Sequence, residues 1–213
     1  EDVDVRLWGK TLLAGVSFAL REGESWALLG ENGAGKSSLL RLLRGDLWPH
    51  PGSRGRRLYH FPDGPSESPI GARERMPLVS AESQDAYLRG EWNLRVEDVV
   101  RTGFAGSTWL DRPLSEEEER GAADALALLG IDGLRGRSIL EVSTGEARKV
   151  LLARALAPRP RALLLDEFCN GLDASARASV LGAVSAIARG GTPVVFATHR
   201  PEEIVPEVGH ALV

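Results

Sequence analysis

Residues 30 to 37 read Gly-Glu-Asn-Gly-Ala-Gly-Lys-Ser, which fits the spacing G-x-x-x-x-G-K-[ST]. Glycines so spaced let a backbone wrap closely, so that successive N–H groups and the first turn of a following helix point at one anion. The chemistry predicted is the grip of a polyphosphate. Gly30, Asn32, Gly33 and Gly35 form the wrap and Ser38 follows it. Lys36 brings an ammonium to the outer phosphates, and the Ser37 hydroxyl binds Mg²⁺. A loop of this kind holds a nucleotide without saying which reaction follows.

A second cluster is acidic. Leu163-Leu164-Leu165-Asp166-Glu167 places two carboxylates just past an apolar strand, where the ligand sites of parallel α/β sheets lie. If that strand neighbours Trp26 to Leu29, Asp166 acts on the Mg²⁺ ion from just outside its inner ring of ligands and Glu167 polarises a water for attack on the terminal phosphate. Thr198-His199 closes a further apolar run, Val194 to Ala197, and puts an imidazole at the same sheet edge, placed to touch a γ-phosphate. A solitary histidine is more often structural; the shared edge makes His199 a candidate catalytic residue.

These side chains need strands that feed helices. Trp26 to Leu29, Ala162 to Leu165 and Val194 to Ala197 are short aliphatic and β-branched runs followed by helical patterns, the mark of βαβ units around a buried parallel sheet. The first runs into the glycine loop and then into Lys36 to Arg44, a predicted helix with leucines at 39, 40, 42 and 43 and a stop at Gly45. Gly52 to Ala72, rich in Gly, Pro, Ser and Arg, predicts irregular loops around one strand, Arg57 to Phe61. Ser115 and Glu118 have capping-box spacing ahead of a helix from Glu116 to Gly130, whose acidic first turn suits the helix dipole. From about Tyr87 to Leu140 the pattern is mainly helical and interrupts the strand and helix alternation, which predicts a separate helical subdomain.

Composition narrows the partners. With 213 residues, 43% hydrophobic and 26% charged, the chain suffices for one domain with a subdomain. A net charge of -4 with scattered basic residues argues against a nucleic-acid groove. Cys169 is the single cysteine, so no internal disulfide is possible and a reducing compartment is expected. No apolar run approaches the roughly 20 residues of a spanning helix and no signal-like start precedes Val3. A soluble, cytoplasmic chain follows, with any membrane link made through a partner. The first residue is Glu1 rather than Met, as in a piece of a longer protein.

The segment Val142-Ser143-Thr144-Gly145-Glu146-Ala147-Arg148-Lys149-Val150 resembles the signature motif of ATP-binding cassette (ABC) ATPases, which usually begins Leu-Ser-Gly-Gly-Gln. The resemblance covers nearly the whole chain, in the right order. Trp8 falls where the family stacks an aromatic on adenine, Gln84 at its Q-loop glutamine, Asn170-Gly171-Leu172-Asp173 at its D-loop and His199 at its switch histidine. The resemblance implies an α/β fold: a P-loop NTPase core with a mostly parallel sheet, an antiparallel β portion on the N-terminal side, and the helical subdomain inserted in a single domain spanning residues 1–213. It also implies ATP and Mg²⁺ as cofactors, Glu167, His199 and Gln84 as catalytic residues, and Ser37, Gln84 and Asp166 around the metal. Ser143, Thr144, Gly145 and Glu146 would serve the nucleotide of a second cassette, either a copy of this chain or a tandem half, docked head to tail, with Asp173 in the D-loop.

Two departures from the family pattern have physical consequences. Thr144 replaces the first signature glycine, adding a side chain where the family packs backbone against the γ-phosphate, which predicts slower closure or hydrolysis. Phe168 replaces the proline that usually follows the catalytic glutamate, while the carboxylate itself is retained. The Ser-Thr-Gly-Glu form with Arg148-Lys149 further resembles the tandem-cassette ATPases of molybdenum operons, also described as photorepair proteins.

Two functions fit. In one, the chain is the ATP-binding subunit of a transporter at the inner face of the cell membrane, and the groove around Gln84 and the helical segment receives a short helix from a permease. Asn93 to Gly103 resembles that region of metal- and chelate-importer cassettes. In the other, it is a soluble switch without a permease, related to repair or regulation; a pI near 5.7 argues against a nucleic-acid target there. A P-loop kinase explains neither Ser143-Thr144-Gly145-Glu146 nor His199.

Overall fold

The computed structural model describes residues 1–61, 64–89 and 93–213. From the N-terminus the elements are β1 (Val3–Leu7), β2 (Lys10–Val16), β3 (Trp26–Leu29), α1 (Lys36–Arg44), β4 (Tyr59–Phe61), β5 (Gly64–Ser66), α2 (Ala72–Arg75) and β6 (Leu78–Ser80). They continue with α3 (Glu82–Arg89), α4 (Val96–Arg101), α5 (Glu116–Leu128), α6 (Thr144–Leu156), β7 (Leu163–Asp166), α7 (Ala174–Arg189), β8 (Val194–Thr198) and β9 (His210–Leu212).

Five strands form one parallel sheet in the order β6, β7, β8, β3, β9. Alternate residues of a strand face opposite ways, and both faces of the sheet are covered at β7, β8 and β3, which is why these strands read as unbroken aliphatic runs, whereas the edge strand β9 is exposed. Leu163, Leu165, Val194 and Phe196 pack on one face, with Val180, Val184 and Ile187 of α7 and with Val96, Val99 and Leu126 of the helical segment. Cys169 is buried in the same cluster. Leu28, Leu164, Val195 and Ala197 pack on the other face, against Leu39, Leu40 and Leu42 of α1 and Val3, Val5 and Leu13 of the antiparallel β1–β2 pair.

β3 and α1 have the bounds that the sequence predicts, and Gly45 ends α1 in the left-handed conformation with φ of 92°. β7 runs from Leu163 to Asp166 rather than from Ala162 to Leu165, so Asp166 closes the strand instead of following it. α5 starts at Glu116 under the Ser115 and Glu118 capping box and ends at Leu128, two residues before Gly130. The helical stretch opens earlier than expected, at Glu82, and holds α3, α4, α5 and two 3₁₀ turns, Thr102–Ala105 and Asp132–Leu134. Residues 90–92 of that stretch lie outside the described residues.

Residues 52–72 hold two strands where one was expected: β4 and β5 pair antiparallel, with residues 62 and 63 outside the described residues. β5, β6 and β9 are only three residues long, too short for hydrophobic periodicity to mark them. Among the described residues no helix is long and apolar enough to cross a membrane.

Candidate active site

Strand register brings the functional segments to one sheet edge. Leu29 pairs with Thr198, Ala197 with Asp166, and Asp166 with Ser80. The segments that follow these strands, namely the loop 30–35, His199, Glu167 and the turn into α3 with Gln84, therefore issue from a common carboxyl edge. β7 does not neighbour β3, as the sequence reading required, because β8 lies between them. α1 bridges the gap from above, and Ser37 on its first turn donates its hydroxyl to Asp166 Oδ1 at 2.9 Å.

The loop has the backbone its glycines allow, with φ of 153° at Gly30, 89° at Gly33 and 96° at Gly35. At Gly35 a side chain is excluded by space as well: a Cβ would stand 2.8 Å from Leu13 Cδ2 and 3.3 Å from the Leu12 carbonyl oxygen of β2. Asn32, Gly33 and Ala34 are exposed at the tip, while Ser38 is half-buried. The buried Lys36 ammonium donates to the carbonyl oxygens of Gly30 at 2.9 Å and Glu31 at 3.0 Å. It also stands 3.6 Å from Glu167 Oε1.

Glu167 takes φ of 44°, in the left-handed region that a residue with a Cβ enters at about 1 to 3 kcal/mol. Such strain persists where neighbours hold it. The Glu167 N–H donates to the Ala197 carbonyl at 2.9 Å, and Asn170 Nδ2 donates to Oε2 at 2.7 Å. Oε1 lies 3.9 Å from His199 Nδ1. One carboxylate oxygen is thus fixed by an amide while the other faces Lys36 and the imidazole.

The strand end beneath His199 is braced by a buried polar chain. Thr198 Oγ1 donates to Glu203 at 2.6 Å and accepts the Arg200 N–H at 3.0 Å. Glu203 is 1% exposed, and its Oε1 lies 3.3 Å from Arg177 Nε. Arg177 also donates Nη2 to the Leu172 carbonyl at 3.1 Å, beside Asp173, which caps α7 by accepting from Ala176 N at 2.8 Å. Sequence reasoning missed Asn170 as a partner of Glu167, and missed Glu203 and Arg177 altogether. The ion pair of Glu203 with Arg177 joins segments that only the tertiary fold brings together, while Asn170 lies three residues from Glu167 and its contact depends on the turn that Glu167 makes at positive φ.

Asp166 is 8% exposed, and this burial pushes its carboxyl above the usual range, against the Ser37 hydrogen bond and with the help of the neighbouring Glu167 charge. Gln84 is 7% exposed, and its Oε1 has no hydrogen-bond donor among the described residues. Ser37, Asp166 and Gln84 supply a hydroxyl, one carboxylate and an amide oxygen, all hard donors. No cluster of three His, Cys, Asp or Glu suited to a metal occurs among the described residues. A donor set with a single carboxylate fits Mg²⁺ that shares its shell with phosphate and water.

Trp8 and the signature make no hydrogen bond to residues 30–38 among the described residues. Leu7 pairs with Lys10, which leaves Trp8 and Gly9 as a two-residue turn with φ of 48° and 77°, the sense that suits the twist of a hairpin. This turn presents Trp8 with 96% of its surface exposed, two residues before the strand that abuts Gly35. Ser143 caps α6: its hydroxyl accepts from Glu146 N at 3.3 Å, and the Glu146 carboxylate accepts from Ser143 N at 2.8 Å, which holds the Glu146 carboxyl below its usual range. Ser143 and Thr144 are exposed, and Gly145 is buried with its missing Cβ 3.0 Å from Ala176 Cβ. Packing against α7 thus leaves little room for a side chain at the glycine that is kept, and the substituted position faces outward.

The family described as "ABC transporter" matches residues 13–170. The ABC transporter ATP-binding protein YmeB of Lactococcus lactis is 32% identical over 205 residues, which is 95% of this chain and 77% of that protein. The hemin import ATP-binding protein HmuV of Streptomyces coelicolor is 37% identical over 196 residues, 92% of this chain and 66% of that protein. Among solved structures, cbiO1 of Clostridium perfringens, part of the ABC transporter complex cbiONQ, has a TM-score of 0.78 at 28% identity, covering 94% of this chain and 77% of that one. Matched by the family over residues 13–170 and by its relatives across most of its length, the chain belongs to the ABC transporter family of ATP-binding proteins, whose general activity is ATP hydrolysis.

Proposed function

We propose that the chain is the ATP-hydrolysing subunit of an ABC transporter, one of two cassettes that close head to tail on ATP and Mg²⁺ and reopen after hydrolysis. The observation that supports this most is the meeting at one sheet edge of Ser37 with Asp166 and of Glu167 with both Lys36 and His199. The loop amides of residues 30–35 and the Lys36 ammonium bind the β- and γ-phosphates, and Trp8 stacks on adenine. Ser37, Gln84 and Asp166 would hold the Mg²⁺ ion, whose charge, when bound, offsets that of the phosphates. Glu167 takes a proton from the attacking water, with Asn170 fixing its other oxygen. His199 orients the γ-phosphate.

Ser143, Thr144, Gly145 and Glu146 serve the partner's nucleotide, with the Asp173 turn beside them. Loss of the γ-phosphate removes contacts that favour the closed pair, which is the switch. By likeness to an import protein and to a cassette from a transporter complex, this chain works at the cytoplasmic face of a membrane. There the helical insertion at about Tyr87 to Leu140, within a single cassette domain, meets a permease.

The test is capture of partners with tagged Glu167→Gln, locked with Mg-ATP, from detergent-solubilised cells. Recovery of an integral membrane protein supports the transporter reading. Recovery of soluble proteins alone overturns it in favour of a switch without a permease. The same variant is expected to bind ATP normally and release phosphate about a hundredfold more slowly, and wild-type turnover would remove Glu167 as the base.

A further inference from the structure

Arg148 lies on α6, five residues after the cap Ser143, and is 5% exposed. Its Nη1 donates to the carbonyl oxygens of Ala81 at 2.6 Å and Ser80 at 3.3 Å, and its Nη2 to that of Asn170 at 3.3 Å. The guanidinium carbon stands over the Phe168 ring, 5.4 Å from its centroid. Each contact is one step from a side chain of the site. The Ala81 carbonyl also accepts the N–H of Gln84 at 3.3 Å. Asn170 donates its amide to Glu167 Oε2 at 2.7 Å, and Phe168 directly follows Glu167. Arginine suits this place because its planar fork sends donors in two directions while its face stacks on an aromatic ring; an ammonium has no such plane.

We infer that Arg148 is a positioning residue that ties the turn of Gln84 and the turn of Glu167 to the helix beginning at Ser143. The chain's own hydrolytic side chains then shift together with the surface offered to a partner's nucleotide. This rests on the proposed roles of Glu167 and Gln84. Phe168, which stands where the family usually has proline, is the platform on which the guanidinium lies, so the two positions act as a pair.

The test compares Arg148→Met, which removes the donors and keeps the length, with Arg148→Lys. Steady-state ATP hydrolysis is one readout and amide exchange of the nucleotide-free protein is the other. Arg148→Met is expected to lower kcat about tenfold or more with KM for ATP within about twofold. Exchange should quicken at residues 82–84 and 168–170 while α1 and β3 keep their protection, and Arg148→Lys should recover part of kcat. A wild-type kcat in Arg148→Met overturns the proposal, as does exchange that rises throughout the chain in both variants with KM rising in step. If the wild type itself hydrolyses no ATP, the ATPase reading falls, and the exchange pattern alone decides the clamp: confined to the two turns it supports it, unchanged it overturns it.

Discussion

Ser37 and Asp166, 129 residues apart in sequence, share one hydrogen bond of 2.9 Å. Asp166 ends β7 and Ser37 lies on α1, which follows β3; those two strands are not adjacent, and the bond exists because α1 crosses above β8 on its way from the loop. A helix rather than a strand neighbour therefore sets the distance between the hydroxyl and the carboxylate.

Asp166 holds a tension between stability and function. Burial raises its carboxyl above the ordinary value, so the folded chain binds that proton more tightly than the unfolded chain. Stability from this group is greatest below the unfolded pKa and is lost as pH rises through the folded one. Asp166→Asn keeps an acceptor for Ser37 and removes the charge. In metal-free, nucleotide-free buffer at neutral pH it is expected to be more stable than wild type by on the order of 1 kcal/mol in urea, with the gain shrinking in acid and Mg-dependent hydrolysis lost. A variant less stable at every pH would show that burial of the charge is not the dominant effect.

The backbone at Glu167 makes a prediction independent of its carboxylate. With φ of 44°, a Cβ at this position is strained, whereas glycine is not. Both Glu167→Gly and Glu167→Ala should be inactive, yet the glycine variant is expected to be the more stable by about 1 kcal/mol, read from denaturant midpoints. Alanine equal to or better than glycine would contradict the strain.

Trp8 tests the adenine contact. Because it is 96% exposed, Trp8→Ala should leave the melting temperature unchanged. Loss of stacking is expected to weaken ATP binding about tenfold in a fluorescent-nucleotide titration, with Trp8→Phe restoring most of it. Unaltered affinity in Trp8→Ala would place adenine elsewhere.

Legibility in the sequence followed the range of the interactions. The loop, α1 and the Ser115 cap were readable because glycine conformation, helix period and capping are set within a few residues; the matching Ser143 and Glu146 cap went unread because that segment was taken as a motif. β6 and β9 were not, since three residues show no period, and their places at the two edges of the sheet come from pairing with β7 and β3. The acidic pair was legible as two carboxylates at a strand end, but the position of β8 between β7 and β3 was not, because strand order is a property of packing. Arg148 read as part of a motif, and its contacts with Ala81 and Asn170 span 67 and 22 residues that no local pattern links.

The sealing of Cys169 has a practical side. Its side chain is fully buried, and burial pushes the thiol up to about 12, so almost none of it is thiolate near neutral pH. Toward a maleimide or a spin-label reagent the native chain is therefore expected to behave as though it were cysteine-free. Cysteines introduced one at a time on the exposed loop tip or the signature turn can take a probe with no background from the native thiol.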